Sequence, residues 1–510
     1  MVPVVSRPPC PTPVPEAAAG EEPAAPLYRQ LAQRLGALVA SGALRRGDRL
    51  PSVREMARQQ GLAQTTVLQA YRTLEDERLI EARPRSGFFV AASAVRPRPG
   101  ARRPSLAVPE QTQPPASPAP VDISTLVERT LEAARDPDFI SFGAACPGGD
   151  LFPPERMRKA MGRALQRQQA SMSRYPFAPG IRPLREVVAR RALGYGCTLD
   201  PERIVITNGA LESISLCLQA VTRPGDTVAL ESPTYFGLLQ ILESLHLKAL
   251  EIPTHPRTGL SLPALELALQ TQPVKALLAV PTLSNPLGAV MPLAQRKALA
   301  RLLRTHRLPM IEDLIYNDLC PRAEARRAVR SFDPEGWVML ASSYSKTLAP
   351  GLRLGWVEGG RWAAQVQRLK AALSGGHTEL LEWAMADLLE QVHHEPALRQ
   401  LRSQVAQRMD LARRLVASSF PAGTRVTSPE GGFILWVELP GGLPALELHE
   451  AALRERICIA PGAMFSSSSR YDHCLRLGLG RGWGPAEQQA LQRVGQLAQA
   501  LLAARPRLAA

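Results

Sequence analysis

Between residues 95 and 120 the chain reads VRPRPGARRPSLAVPEQTQPPASPAP, with eight prolines in 26 residues. Proline fixes φ and lacks a backbone N–H, so neither a helix nor a central strand can cross this stretch. The chain therefore cannot build one continuous core. It divides into a short part before the break and a long part after it. The stretch itself reads as a semi-rigid, extended linker, which we set at residues 93–121. Residues 1–25, rich in Pro and Ala, are expected to be disordered. The arginines that open the linker (Arg96, Arg98, Arg102, Arg103) read most simply as a solvated charge run.

Residues 26–92, before the linker, carry a compact pattern. YRQLAQRLGALVASG (28–42) sets Leu31, Leu35 and Leu38 at helical spacing and ends on Gly42. In GDRLPSVREMARQQG, Ser52 can cap a short helix that Gly61 closes. LAQTTVLQAYRTLEDERLI gives a third helix. Its buried stripe is Val67, Tyr71 and Leu74, and Gln64, Thr65, Thr66, Gln69 and Arg72 face outward. Leu79–Val90 reads strand, turn, strand, with Arg85-Ser86-Gly87 at the tip. This is a winged helix-turn-helix pattern, an α+β module. Its partner would be double-stranded DNA, with the third helix in the major groove and the wing over phosphates or the minor groove. Arg54, Arg83 and Arg85 are the best contacts. Residues 26–96 hold 12 Arg against 6 Asp/Glu, a net +6 within a chain of 61 − 46 = +15, which suits a polyanion. A helical interaction domain with a basic face is the plainer alternative.

The run PLYRQLAQRL–SGALRRGDRLPSVREMA–LAQTTVLQAYRTLEDERLIEARPRSGFFV resembles the winged-helix domain of GntR-type bacterial regulators over about 65 residues. The resemblance implies that Ser52, Arg54, Thr65, Thr66 and Gly87 occupy DNA-contact positions. Gln64 stands where that family often has a basic residue, a departure that bears on the operator sequence.

Residues 122–510 are long enough for a large core. Apolar runs at 203–207, 227–231, 276–280, 310–313 and 338–342 alternate with helical periods, which argues for a mostly parallel α/β sheet. Only six lysines occur in the chain. One of them, Lys346, lies in SSYSKTLAPGLRLGW (342–356) among hydroxyls, with Arg353 seven residues on. That grouping suits a Schiff base to a phosphorylated aldehyde. Ser343, Ser345 and Arg353 would hold the phosphate, and the positive neighbour would depress the amine's pKa. Alone, the stretch reads more simply as a surface lysine in a Ser-rich turn.

It does not stand alone. Pyridoxal 5'-phosphate needs a carboxylate at its ring nitrogen, and MIEDLIY offers Asp313, with Tyr316 three residues on. SNPLG offers Asn285 for the phenolic oxygen, with Tyr316 as a second donor. SPTYFG offers Tyr235 for the ring face. TNGALES offers the backbone N–H groups of Gly209 and Ala210 at a helix start. Each piece follows a strand, where α/β sheets bind ligands.

This order resembles fold-type I pyridoxal-phosphate enzymes of the aminotransferase class over about residues 139–490, kynurenine and 2-aminoadipate aminotransferases above all. The resemblance implies that Lys346 is the internal-aldimine lysine and that Asp313 pairs the ring nitrogen. Asn285 and Tyr316 would hold the ring oxygen, and Tyr235 would stack on the ring. It also implies that Arg476, in HCLRLGLG, grips a substrate or effector carboxylate, for which a guanidinium is suited. The segment RYPFAPGIRPLRE around Gly180 resembles the substrate-side loop.

Together the two halves resemble the MocR subfamily of bacterial regulators. That implies a cytoplasmic transcription regulator which senses pyridoxal phosphate, or an amine or amino acid, through the Lys346 aldimine. It also implies a homodimer presenting two winged helices, each near the other chain's large domain. Catalysis would not be its main role. Three alternatives stay open: a true aminotransferase carrying a DNA-binding domain, a sensor of free pyridoxal phosphate that ignores amines, and a DNA-binding scaffold with a vestigial large domain. Seven scattered cysteines without CxxC fit reduced thiols, and no metal is called for. No signal peptide or membrane span is expected, since the most apolar region, 276–293, is broken by Pro281, Asn285, Pro286 and Pro292.

Overall fold

The computed structural model describes residues 26–41, 47–77, 79–83, 87–91, 106–115, 117–152, 154–348, 350–390 and 394–505. The chain divides into two compact units at the Arg102–Arg103 bond.

The first unit holds α1 (Leu27–Ser41), α2 (Val53–Gln60), α3 (Gln64–Asp76) and a hairpin of β1 (Ile80–Arg83) and β2 (Gly87–Val90). The Ser52 hydroxyl accepts a hydrogen bond from Glu55 N at 3.3 Å and so starts α2. Gly61, at φ +65°, ends it in the left-handed region that glycine tolerates best. Val67, Ala70, Tyr71 and Leu74 of α3 are fully buried against Leu31 and Leu35 of α1. The Tyr71 hydroxyl donates to Pro51 O at 2.9 Å and its ring meets Phe88 edge-on at 4.9 Å. One side chain thus fixes α3 to both the turn before α2 and the wing. The antiparallel register pairs Arg83 with Gly87. Arg85, Gly42 and the whole of residues 1–25 lie outside the described residues.

In the second unit an eight-stranded sheet comprises β3 (Ile204–Thr207), β4 (Thr227–Ser232), β5 (Lys248–His255), β6 (Gly259–Leu260), β7 (Val274–Ala279), β8 (Met310–Asp313), β9 (Val338–Ser343) and β10 (Gly355–Glu358), in the order β3-β10-β9-β8-β7-β4-β5-β6. Strands β4, β5, β7, β8 and β9 run parallel. The inner ones are buried on both faces, as their unbroken apolar runs require. The expected strands are present within a residue or two. The sheet is mixed rather than simply parallel, because β10 runs antiparallel to β9 and β3. A second, antiparallel sheet of β11 (Arg425–Val426), β12 (Ile434–Glu438), β13 (Ala460–Pro461) and β14 (Cys474–Gly478) has the order β11-β12-β14-β13. None of its strands is among those expected from the sequence.

The Pro-rich stretch is not a free tether throughout. Among its described residues, Ala107, Thr112 and Ala119 make backbone hydrogen bonds to the two sheets, as Ala119 does to Ala249. Among the described residues no helix is long and apolar enough to cross a membrane.

Candidate functional site

Because β4, β7, β8 and β9 are parallel, their carboxyl ends open on one rim. The loops leaving them supply one cavity, lined among others by Tyr235, Asn285, Asp313, Tyr316, Ser343, Ser345, Lys346, Arg353 and Ala210. Residues spread over 144 positions of sequence, from Ala210 to Arg353, thus meet. Gly209 caps the helix α4 (Ala210–Val221) at φ +97°, and a Cβ there would lie 2.9 Å from the Arg353 guanidinium. The φ of +97° favours glycine here, and its missing Cβ leaves the guanidinium where it is.

Asp313 ends β8 and is 5% exposed. One carboxylate oxygen accepts Ile315 N at 2.9 Å. Burial raises its pKa to about 7, against the backbone hydrogen bond and the charge of Lys346. Such a carboxyl waits for a cationic partner to restore its charge. Lys346 follows β9, and its amine donates to Ala145 O at 2.7 Å. Burial is the largest cause that lowers the Lys346 pKa; Arg476 and Arg353 act in the same direction and Cys146 opposes them. The like charge foreseen from sequence does act, but desolvation outweighs it. A lysine so placed gives up its proton more readily than an exposed one.

Asn285 Nδ2 donates to the Tyr316 hydroxyl at 3.4 Å, and both are buried. Tyr235, at the start of the helix after β4, brings Phe236 with it into the wall. Arg353 is exposed at the mouth, sits at φ +51°, and donates to Asn208 O at 3.3 Å. For a non-glycine residue that backbone costs on the order of 1 kcal/mol and is found where surroundings impose it. Ser343 Oγ accepts from Ser345 N at 3.3 Å, whereas Ser345 Oγ is buried without a partner. Arg476 does not line the cavity. It is wholly buried behind Asn285, with Nη1 3.4 Å from Asn285 Oδ1, Nη2 2.5 Å from Gly143 O and Nε unpartnered.

The donor set fits pyridoxal phosphate. An orphaned Ser345 hydroxyl, a glycine cradle and Arg353 suit a phosphate, Asp313 a protonated ring nitrogen, and Asn285 with Tyr316 a phenolate. Sequence reasoning passed over other contributors. Glu212 accepts Asn208 N and is held by Lys370, whose fully buried amine lies 3.0 and 3.1 Å from its two oxygens. Glu212 sits inside TNGALES and was open to reading. Lys370 had no local signal. Cys146 lines the cavity beside the carbonyl that holds Lys346.

On the first unit, Gln64 and Thr65 are exposed and Thr66 is half-buried on the first turn of α3, with Arg54 exposed on α2. No side chain caps α3, so its leading N–H groups are open to an anion. Ser52 is exposed, but its hydroxyl is occupied by the cap. Arg83 forks onto Glu81 at 2.8 and 2.9 Å and stacks 4.5 Å from Phe89, so its charge is partly committed. Gly87, at φ +102°, lies beside exposed Arg49, which sequence reasoning did not single out.

Residues 138–482 match the family of aminotransferases of class I and II, and residues 27–90 match bacterial regulatory proteins of the gntR family. The uncharacterized HTH-type transcriptional regulator YdcR of Escherichia coli is 38% identical over 472 residues, 92% of this chain and 99% of that protein. The 2-aminoadipate transaminase of Thermus thermophilus is 28% identical over 74% of this chain and 95% of its own length. A crystal structure of Pyrococcus horikoshii kynurenine aminotransferase, in complex with PMP, superposes with a TM-score of 0.69 at 26% identity, covering 75% of this chain and 95% of that one.

Proposed function

The chain belongs to the aminotransferase class I and II family and, with its GntR-type module, has the MocR-like architecture; from that premise we propose how it works as a DNA-binding transcriptional regulator. The carrying observation is that Lys346, Asp313, Asn285, Tyr316 and Arg353 converge on one cavity in a chain that also holds a winged helix.

Pyridoxal 5'-phosphate supplies an aldehyde that condenses reversibly with amines and a ring that withdraws electrons. Ser343, Ser345, Arg353 and the N–H groups of Gly209 and Ala210 would hold its phosphate. Asp313 would keep the ring nitrogen protonated, and Tyr235 would cover the ring. Lys346 would present a desolvated amine to the aldehyde. An amino-compound effector would compete with Lys346 for that aldehyde, and Arg476 would receive its carboxylate if Asn285 yields. The two states regulate only if they differ in DNA affinity. The winged helix binds the operator through Arg54, Gln64, Thr65, Thr66, Arg83, Arg85 and Gly87, with Ser52 fixing the helix that carries Arg54. We assign the DNA-binding domain to 26–92 and the cofactor domain to 122–510. Met172, Tyr175 and Phe177, within six positions, are large apolar side chains left exposed, of the kind that subunits cover, which supports a homodimer. A chromosomal partner makes the cytoplasm its compartment.

The test is binding to DNA upstream of its own gene at fixed salt, with and without pyridoxal phosphate. Specific, cofactor-dependent binding is expected, and absence of specific binding in both states refutes the proposal. The likeness to the 2-aminoadipate transaminase over 74% of this chain supports a second reading, a working aminotransferase. Keto-acid formation over many turnovers would establish it.

A further inference from the structure

The Pro-rich stretch ends in a run that touches both sheets of the second unit. Ala107 O accepts Val426 N of β11 at 3.0 Å, and Glu110 lies 3.3 Å from Arg425. Five residues after Ala107 the chain reaches the other sheet. Thr112 N donates to Thr254 O at 3.1 Å, and Thr112 Oγ1 accepts Thr254 N at 2.7 Å, both on β5. Ala119 and Ala249 then exchange two bonds of 2.9 Å. Five extended residues span roughly 17 Å at most, so a change in the separation of the two sheets must draw on this segment.

Thr112 also reaches the segment that leads into the wall of the cofactor cavity. Its hydroxyl donates to Ser232 O at 2.7 Å, while Ser232 N donates to Thr254 Oγ1 at 3.1 Å. Both backbone groups of Ser232 are thus held by this threonine pair. Three residues on stands Tyr235, in the cavity wall. The Ser232 hydroxyl donates to buried Glu251 and lies 2.8 Å from the Tyr471 hydroxyl. Glu251 also accepts from Ser466 Oγ and Ser467 N, at 2.8 and 2.7 Å, and Thr234 N donates to Phe465 O at 2.9 Å. One buried polar network therefore joins the Pro-rich run, the loop that carries Tyr235 and the loop at 465–471. Such networks have discrete arrangements rather than a continuous range, because each member left unpartnered is costly.

We propose that residues 107–115 form, with 117–119, a strap that carries the state of the cofactor cavity to the chain leading toward the DNA module, with Thr112 as the positioning residue that couples them. This rests on the reading of the cavity as a pyridoxal-phosphate sensor. The strap turns a displacement of the Tyr235 loop into a displacement of the chain at residue 107.

The test compares full-length protein loaded with pyridoxal phosphate, which engages Lys346, and with pyridoxamine phosphate, which cannot. The readout is the ratio of the two dissociation constants for DNA upstream of its own gene. In the wild type a ratio of about fivefold or more is expected, a coupling of roughly 1 kcal/mol. Thr112→Val keeps the shape and removes the hydroxyl. It should keep the visible absorbance of the pyridoxal form and bring the ratio within twofold of one, and Thr112→Ser should restore it. A Thr112→Val protein with the wild-type ratio overturns the strap while leaving the sensor standing. A wild-type ratio of one, or no visible absorbance, overturns the sensor and the strap with it. If Thr112→Val does not fold, hydrogen exchange on the wild type decides. The amides of Thr254, Ala249 and Val426 should exchange at rates several-fold different in the two forms, and equal rates overturn the proposal.

Discussion

The winged helix and the cofactor cavity use charge in opposite ways. On α2 and α3 the working groups stand in water: Arg54, Gln64 and Thr65 are exposed, and the buried residues behind them only hold the surface still. In the cavity Arg353 stays exposed at the mouth, but Asp313, Lys346, Asn285 and Tyr316 are taken out of water, and that removal tunes the two that titrate. Burial raises Asp313 to about 7 and lowers Lys346. A surface that must find a long polyanion gains from open cations and loses strength with salt. A site that must hold one small dianion and one reactive amine gains from desolvation, which salt does not screen. Substitutions in the cavity should therefore act through chemistry and affinity, and those on the winged helix through salt-dependent association.

The largest effect expected is from Lys346→Ala, which should abolish the visible absorbance of protein mixed with pyridoxal phosphate. An unchanged spectrum refutes the lysine assignment. Asp313→Asn should follow, with a loss of about 1.5–3 kcal/mol for a bond to a charged group, roughly ten- to a hundredfold in cofactor affinity. Titration of apoprotein would show it, and an unaltered affinity would separate Asp313 from the ring nitrogen.

The same carboxyl makes the cofactor-free protein sensitive to pH. Folded Asp313 keeps its proton up to about 7, whereas an unfolded aspartate releases it near about 3.9. The folded state binds more protons across that window, so its contribution to stability is full below about pH 4 and is lost as pH rises through about 7. Asp313→Asn should flatten that part of the decline. Denaturation midpoints that fall in parallel for both proteins would show that desolvation is not acting there.

Arg54→Ala should weaken DNA binding at all sequences and reduce the salt slope by about 1 if it meets a phosphate, or relax one base position by about 1–3 kcal/mol if it meets a base edge. The cofactor spectrum should not move. The smallest effect is expected from Ser52→Ala, about 1 kcal/mol in the stability of the first unit alone, seen as a lower melting point for that transition. A loss of cofactor binding from either change would break the division between the two regions.

Legibility followed the same division. Motifs that lie after strands were open to reading, because the loop at each parallel strand end carries its own chemistry: Tyr235 after β4, Asn285 after β7, Asp313 on β8 and Lys346 after β9 all line one cavity. What stayed hidden depends on distant partners. Nothing near Lys370 signals that its amine supports Glu212, 158 positions away. Thr112 sits in a stretch whose composition says linker, yet its neighbours come from β4 and β5. Arg83 looked like an open cation, and only the hairpin register and the Glu81 fork show otherwise. In the winged helix the buried stripe followed directly from spacing, since Val67, Tyr71 and Leu74 bury one face of one helix.

Lys346 and Arg353 sit on a single excursion that leaves the sheet at Ser343 and re-enters it, reversed, at Gly355. The proposed covalent anchor and the proposed phosphate cation therefore share one loop. An insertion or deletion of one residue between them would shift them against each other and against Asp313 and Gly209. In the winged helix Arg54 and the residues of α3 stand on two separate helices, α2 and α3, that the turn at 61–63 holds together.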